Sequence, residues 1–246
     1  MPNVRVQVTD VRFRARDATI AGVLVAPQES TGGSVVLLPD VRGVADLYVR
    51  MAGRIAELGL PTLVLDVYSR EGAPELPDME AVFRCIAELP DDRVLGDVDA
   101  AVSFLEEREP RGTRSRAIAV VGFCLGGQYA LMAACRNARL AACVSFYGML
   151  RYDARPPHKP ASPLDLAPGL RCPLLGLYGA DDVLIPARDR VALEEILVRE
   201  KKEWSLHVFG GAGHAFANDT RADYRPETAE VAWGLASGFL RRMLAA

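Results

Sequence analysis

Residues 118–127 read Ile118-Ala119-Val120-Val121-Gly122-Phe123-Cys124-Leu125-Gly126-Gly127. An apolar run stops at a glycine, presents a cysteine, and continues through two more glycines. This is G-x-C-x-G, a cysteine version of the strand–turn–helix elbow more often written G-x-S-x-G. The spacing follows from geometry. A strand must turn sharply into a helix and leave one side chain alone at the apex. The flanking glycines give small volume where helix and strand cross, since a Cβ there would collide. The following Gln128-Tyr129-Ala130-Leu131-Met132-Ala133-Ala134 is a good helix former. Cys124 is therefore expected at a helix N-terminus, where unpaired N–H groups and the macrodipole favour a thiolate.

Working outward, strand and helix signals alternate along the chain. Residues 10–26 read as a β-hairpin turning near Arg16-Asp17, and Ser34–Leu38 as a short buried strand. A helix is expected from Ala45 to Leu58, with Met51, Ile55 and Leu58 at helical spacing. Thr62–Leu65 is the next strand, followed by a polar loop from Ser69 to Asp78 and two helical stretches. The second of these carries Val94, Val98, Val102 and Leu105 on one face. Beyond the elbow, strands are expected at 141–146, 174–178 and 205–209, with helices over 187–200 and from Pro226 to Leu244. Continuous apolar strands alternating with helices mean a mostly parallel sheet covered on both faces. The prolines at 156, 157, 160, 163 and 168 mark Arg151–Pro168 as an irregular loop near the mouth of a site. There is no internal repeat.

With 246 residues, half of them hydrophobic, the chain can bury one large core, so residues 1–246 are expected to form a single α/β domain. The net charge of −3, with acids and arginines interspersed, gives no electrostatic footprint for nucleic acid. No apolar stretch approaches the ~20 residues of a membrane span. Met1-Pro2-Asn3-Val4-Arg5 lacks the apolar segment of a signal peptide. The five cysteines show no C-x-x-C pairing of the kind that binds zinc or shuttles electrons. A reduced, cytoplasmic protein without metal or cofactor is expected. Nothing in the sequence speaks to oligomeric state.

A nucleophile on such an elbow needs a base within hydrogen-bond reach and a third group to orient that base. The chain has three histidines. His158 lies in the proline-rich loop, and His207 sits inside a strand. His214 lies in Gly210-Gly211-Ala212-Gly213-His214-Ala215-Phe216, a loop leaving the C-terminal end of a strand, where ligands and reactive groups collect in parallel sheets. It is the expected base. The acid belongs between nucleophile and base in chain order. Tyr178-Gly179-Ala180-Asp181-Asp182-Val183-Leu184-Ile185-Pro186 supplies it, and spacing leaves Asp181 and Asp182 equally placed.

These segments resemble the dienelactone hydrolase family of α/β-hydrolases over essentially the whole chain. The elbow is similar to the family's G-x-C-x-G-G. Gly179-x-x-Asp182-x-x-Ile185-Pro186 is similar to its acid turn, and Gly213-His214-x-Phe216 to its histidine loop. Asp66-Val67-Tyr68 and Phe146-Tyr147-Gly148 resemble two further strand ends. The resemblance implies a Cys124–His214–Asp182 triad and an α/β-hydrolase fold. It also implies an oxyanion hole from the backbone N–H groups of Leu125 and Val41. Asp40 stands where the family carries a glutamate that contacts the thiol, and is one methylene shorter.

The resemblance implies an enzyme that cleaves a small carboxylic ester or lactone through a thioester. Phe83, Tyr147 and Phe216 are candidate substrate contacts. The type enzymes grip a substrate carboxylate with arginines, one of them four residues beyond the histidine; here that position is Asn218, leaving Arg42 and Arg221 as candidate replacements. Two enzyme readings compete, a lactone-directed hydrolase and a general carboxylesterase or thioesterase. A non-catalytic binding protein with the same fold would show a broken triad. A redox sensor would call for an adjacent resolving cysteine.

Overall fold

The computed structural model describes residues 5–30, 32–108 and 117–244. Residues 1–4, where the sequence shows no signal-peptide pattern, lie outside the described residues. Eight strands form one sheet in the order β1-β2-β4-β3-β5-β6-β7-β8. The strands are β1 (Val6–Arg14), β2 (Thr19–Pro27), β3 (Ser34–Leu38), β4 (Thr62–Leu65), β5 (Ile118–Phe123), β6 (Leu140–Phe146), β7 (Leu174–Gly179) and β8 (Trp204–Phe209). The hairpin β1–β2 pairs antiparallel, with β2 antiparallel to β4, and every other pairing is parallel.

The burial pattern explains the sequence pattern. Every residue of β3, β4, β5 and β7 is buried, as central parallel strands covered on both faces require. The edge strands β1 and β8 are largely solvent-facing or half-buried. The helices are α1 (Asp46–Ala56), α2 (Met79–Glu88), α3 (Asp91–Arg108), α4 (Leu125–Arg136), α5 (Pro163–Leu166), α6 (Ala187–Arg199) and α7 (Pro226–Leu244). Helices α1 and α7 adjoin through Arg54, which bonds Glu230 and lies 4.8 Å over the Trp233 ring. Helices α3, α4, α5 and α6 make a second contiguous layer. The stripe Val94, Val98, Val102 and Leu105 is buried as its spacing predicts. No helix among the described residues is long and apolar enough to cross a membrane.

The proline-rich segment is irregular over residues 151–162, as expected, and departs from expectation only at its end. Within 151–168, Ser162 and Asp165 close a capping box around the short helix α5, and a 3-10 turn follows at Ala167–Gly169. The segment is pinned by Lys159, whose Nζ sits 2.7 Å from Asp91 Oδ1 and 3.0 Å from Tyr129 Oη with both charged side chains buried. Burial pushes the Lys159 ammonium towards release of its proton, and Asp91 opposes that. Tyr152 adds a 3.0 Å bond to the same carboxylate.

Candidate active site

The elbow is built by steric necessity. Cys124 has φ 53° and ψ −114°, a conformation L-residues rarely adopt, and it forms the N-cap of α4. Its N–H bonds Phe146 O at 3.0 Å, tying the apex to the end of β6. A Cβ on Gly122 would overlap the backbone of Gly126, and one on Gly126 would overlap the carbonyls of Leu38 and Pro39. Helix α4 thus starts jammed against the ends of β5 and β3. That packing brings the backbone of Leu125 beside the turn that follows β3.

Asp182 and His214 arrive from the far strands. Asp182 lies in the turn after β7 and is buried, whereas Asp181 is exposed. His214 lies in the loop after β8, and its Nδ1 is 2.8 Å from Asp182 Oδ2. Asp182 Oδ1 accepts from Leu184 N at 2.9 Å, so the carboxylate is fixed at both ends. Burial disfavours a charged His214 ring, but the Cys124 charge and the Asp182 hydrogen bond outweigh it and raise the imidazole to about 10. The ring thus lies within the field of the thiol, although Nε2 is buried without a conventional hydrogen bond. The other two histidines are occupied elsewhere. His158 Nε2 lies 2.7 Å from Ala87 O, and His207 Nε2 is 2.9 Å from Ser205 Oγ.

The turn after β3 is held by Asp40. Its Oδ1 accepts from Arg42 N at 2.9 Å and its Oδ2 from Arg42 Nη1 at 3.0 Å, while Gly43 N donates to Asp40 O. Val41 N–H takes no part in those bonds. Tyr68 Oη donates to Val41 O at 3.0 Å and so fixes the orientation of this backbone. Leu125 N–H belongs to the first turn of α4, whose N–H groups have no intrahelical acceptor.

Among the other candidates, Tyr147 is buried with φ 40°, its ring 5.3 Å edge-on from His214 and 5.3 Å from Phe216. Phe216 is fully buried against Tyr147 and Phe209. Asn218 is also buried and closes its own turn, accepting from Thr220 N and Thr220 Oγ1. Arg221 is exposed. Phe83 is half-exposed and lines a cleft of about 790 Å³ together with Met149, Tyr152, Leu184 and Arg188. Tyr48 of α1, which no motif singles out, has a buried hydroxyl beside this site. Its only sequence signal is a hydroxyl on the apolar stripe that continues to Met51 and Ile55.

All five cysteines are free. Burial pushes the Cys135 and Cys172 thiols up to about 12, and Cys143 is fully buried as well. Cys124 is half-buried at a helix start. No group of three or more metal-ligating side chains occurs among the described residues.

Sheet order, elbow and strand-end side chains together define an α/β-hydrolase fold. A crystal structure from Klebsiella pneumoniae, "Putative Dienelactone Hydrolase", matches with TM-score 0.88 and 26% identity, covering 98% of this chain and 99% of that one. The model of the dienelactone hydrolase family matches residues 20–244, and the chain belongs to that family. It is 35% identical over 208 residues to a Bradyrhizobium protein named "Probable 2-oxo-3-(5-oxofuran-2-ylidene)propanoate lactonase", covering 85% of this chain and 83% of that one. It is 30% identical over 238 residues to a "Putative carboxymethylenebutenolidase" of Methylorubrum extorquens, covering 95% and 80% respectively.

Proposed function

We propose that this chain hydrolyses a small carboxylic ester or lactone, with Cys124 as nucleophile, His214 as acid–base and Asp182 as its orienting partner. The observation that carries the reading is the 2.8 Å His214–Asp182 bond in a buried ring whose titration is raised by neighbouring Cys124 and by Asp182. The Cys124 thiolate attacks the carbonyl carbon. The developing oxyanion is met by the N–H groups of Leu125 and Val41, and losing one such donor typically costs ~10²–10³ in rate. As the tetrahedral intermediate collapses, the C–O bond breaks and His214 Nε2 delivers its proton to the leaving oxygen. In a lactone that oxygen stays tethered to the acyl chain. His214 then takes a proton from water, the hydroxide attacks the thioester, and the C–S bond breaks to return the thiolate and release the acid.

The names carried by the relatives favour a lactone bearing a carboxylate. Asn218 cannot supply a charge for such a group, so Arg42 and Arg221 are assigned that part. Changing either to Met should raise KM for acidic esters more than for neutral ones; equal effects on both would remove the assignment. The reaction class is tested by mass spectrometry after mixing with a slow ester. An acyl adduct is expected on the Cys124 peptide and none on Cys124→Ala, which should keep its fold and lose turnover. Undiminished turnover by that variant would end the proposal.

A further inference from the structure

Arg190, in the first turn of α6, is a buried cation without an acid of its own. It is 8% exposed, and among the described residues its hydrogen-bond partners are all main-chain carbonyls. Nη1 donates to Gly179 O at 3.0 Å and to Ile185 O at 2.5 Å, and Nη2 donates to Ala180 O at 3.4 Å. Taking a guanidinium out of water is costly, and here no ion pair offsets it. What the planar fork offers is several donors at fixed angles, which can hold separate acceptors at once.

Those acceptors bracket one residue. Gly179 and Ala180 come just before Asp182, at the end of β7, and Ile185 comes just after it. The bonds inside the turn run from Leu184 N to Asp182 Oδ1 and from Ile185 N to Asp182 O. They shape the turn but do not tie its far end back to the strand. The guanidinium does. The same strand end is docked on the loop that carries His214: a Cβ on Gly179 would overlap the carbonyl oxygens of Ala212 and Gly213, and Asp181 N donates to Ala212 O at 3.0 Å. A turn fastened to Gly179 is thereby fastened relative to the imidazole.

We propose that Arg190 is a positioning residue, whose fork ties the two ends of the acid turn and so holds the Asp182 carboxylate on Nδ1 of His214. Arg190 touches no substrate and moves no proton. The inference rests on Asp182 orienting His214 in the hydrolytic reading.

Arg190→Met keeps most of the stem and removes the fork, and Arg190→Lys keeps the charge but concentrates it at one point. The readouts are steady-state kinetics and the NMR titration of His214, near 10 in the native protein. Both variants should lose about tenfold or more in kcat, with KM within about twofold. The direction of the His214 shift separates position from charge. Removing a nearby cation would raise the titration of the ring, whereas loosening Asp182 lowers it. Cys124 and Asp182 raise the ring and the buried Tyr147 lies edge-on to it; neither variant replaces any of these. A fall of about one pH unit is expected in both variants. An unchanged or raised titration overturns the proposal.

Asp182→Asn supplies the second measurement. If Arg190 acts through Asp182, Arg190→Met should lower kcat by less than about twofold in that background. An equal fall in both backgrounds overturns the proposal and leaves the triad standing, whereas an unchanged kcat in Asp182→Asn alone removes the triad and the proposal with it. Failure of both Arg190 variants to fold assigns the residue to stability alone and also overturns it.

Discussion

Nδ1 of His214 lies 2.8 Å from Oδ2 of Asp182, and the other oxygen of that carboxylate accepts the N–H of Leu184. The acid is thus locked to the backbone of its own turn on one side and directs an imidazole on the other. With Nδ1 committed to Asp182, Nε2 is the nitrogen left to face the thiol.

Asp182→Asn offers His214 an amide in place of a charge and weakens the tautomer that leaves Nε2 functional. Steady-state kinetics should show kcat/KM reduced by about 10²–10⁴. Asp181→Asn, at an exposed position, should leave kcat/KM within about a factor of two.

The raised titration of His214 depends on Cys124. By NMR the ring should titrate near 10 in the native protein, and the value should fall in Cys124→Ala, where burial acts with one less opposing charge. A histidine raised from 6.5 to about 10 on folding contributes in full below 6.5, and that contribution is lost as pH climbs through about 10. Urea unfolding across this window should show less of that loss in Cys124→Ala.

Gly126→Ala places a methyl on the carbonyls of Leu38 and Pro39, atoms that cannot yield without moving β3. Urea unfolding should show destabilisation of about 4 kcal/mol or more, or no folded protein. Gly234→Ala in α7, where an added Cβ meets nothing, should be neutral or stabilising by up to about 1 kcal/mol.

Lys159→Met leaves the Asp91 carboxylate buried without its cation. A loss of about 3–5 kcal/mol is expected. Adding Asp91→Asn, which keeps an acceptor for the hydroxyls of Tyr129 and Tyr152, should recover part of that loss. The measurement is a double-mutant cycle by chemical denaturation.

The strands and the elbow were legible because their physics is local. Apolar runs bounded by glycine, proline or aspartate give β3, β4, β5 and β7, and the glycine spacing of 122–127 admits one way to turn a strand into a helix. The choice between Asp181 and Asp182 was not local, since neighbouring acids in a turn differ only in which one the fold buries. The proline-rich segment hid its order for the same reason. Lys159 is fixed by Asp91, a partner 68 residues away, and no pattern within 151–168 announces it.

The strand order has one more consequence. Cys124 follows β5, Asp182 follows β7 and His214 follows β8, with β6 alone between the first two strands. Neighbouring strands keep a separation of about 4.8 Å through main-chain bonding. The strand ends that carry these side chains are thus offset by whole multiples of a ruler that no single side chain sets. Outer helices can drift in sequence and lose stability while the spacing of the chemistry stays in tune.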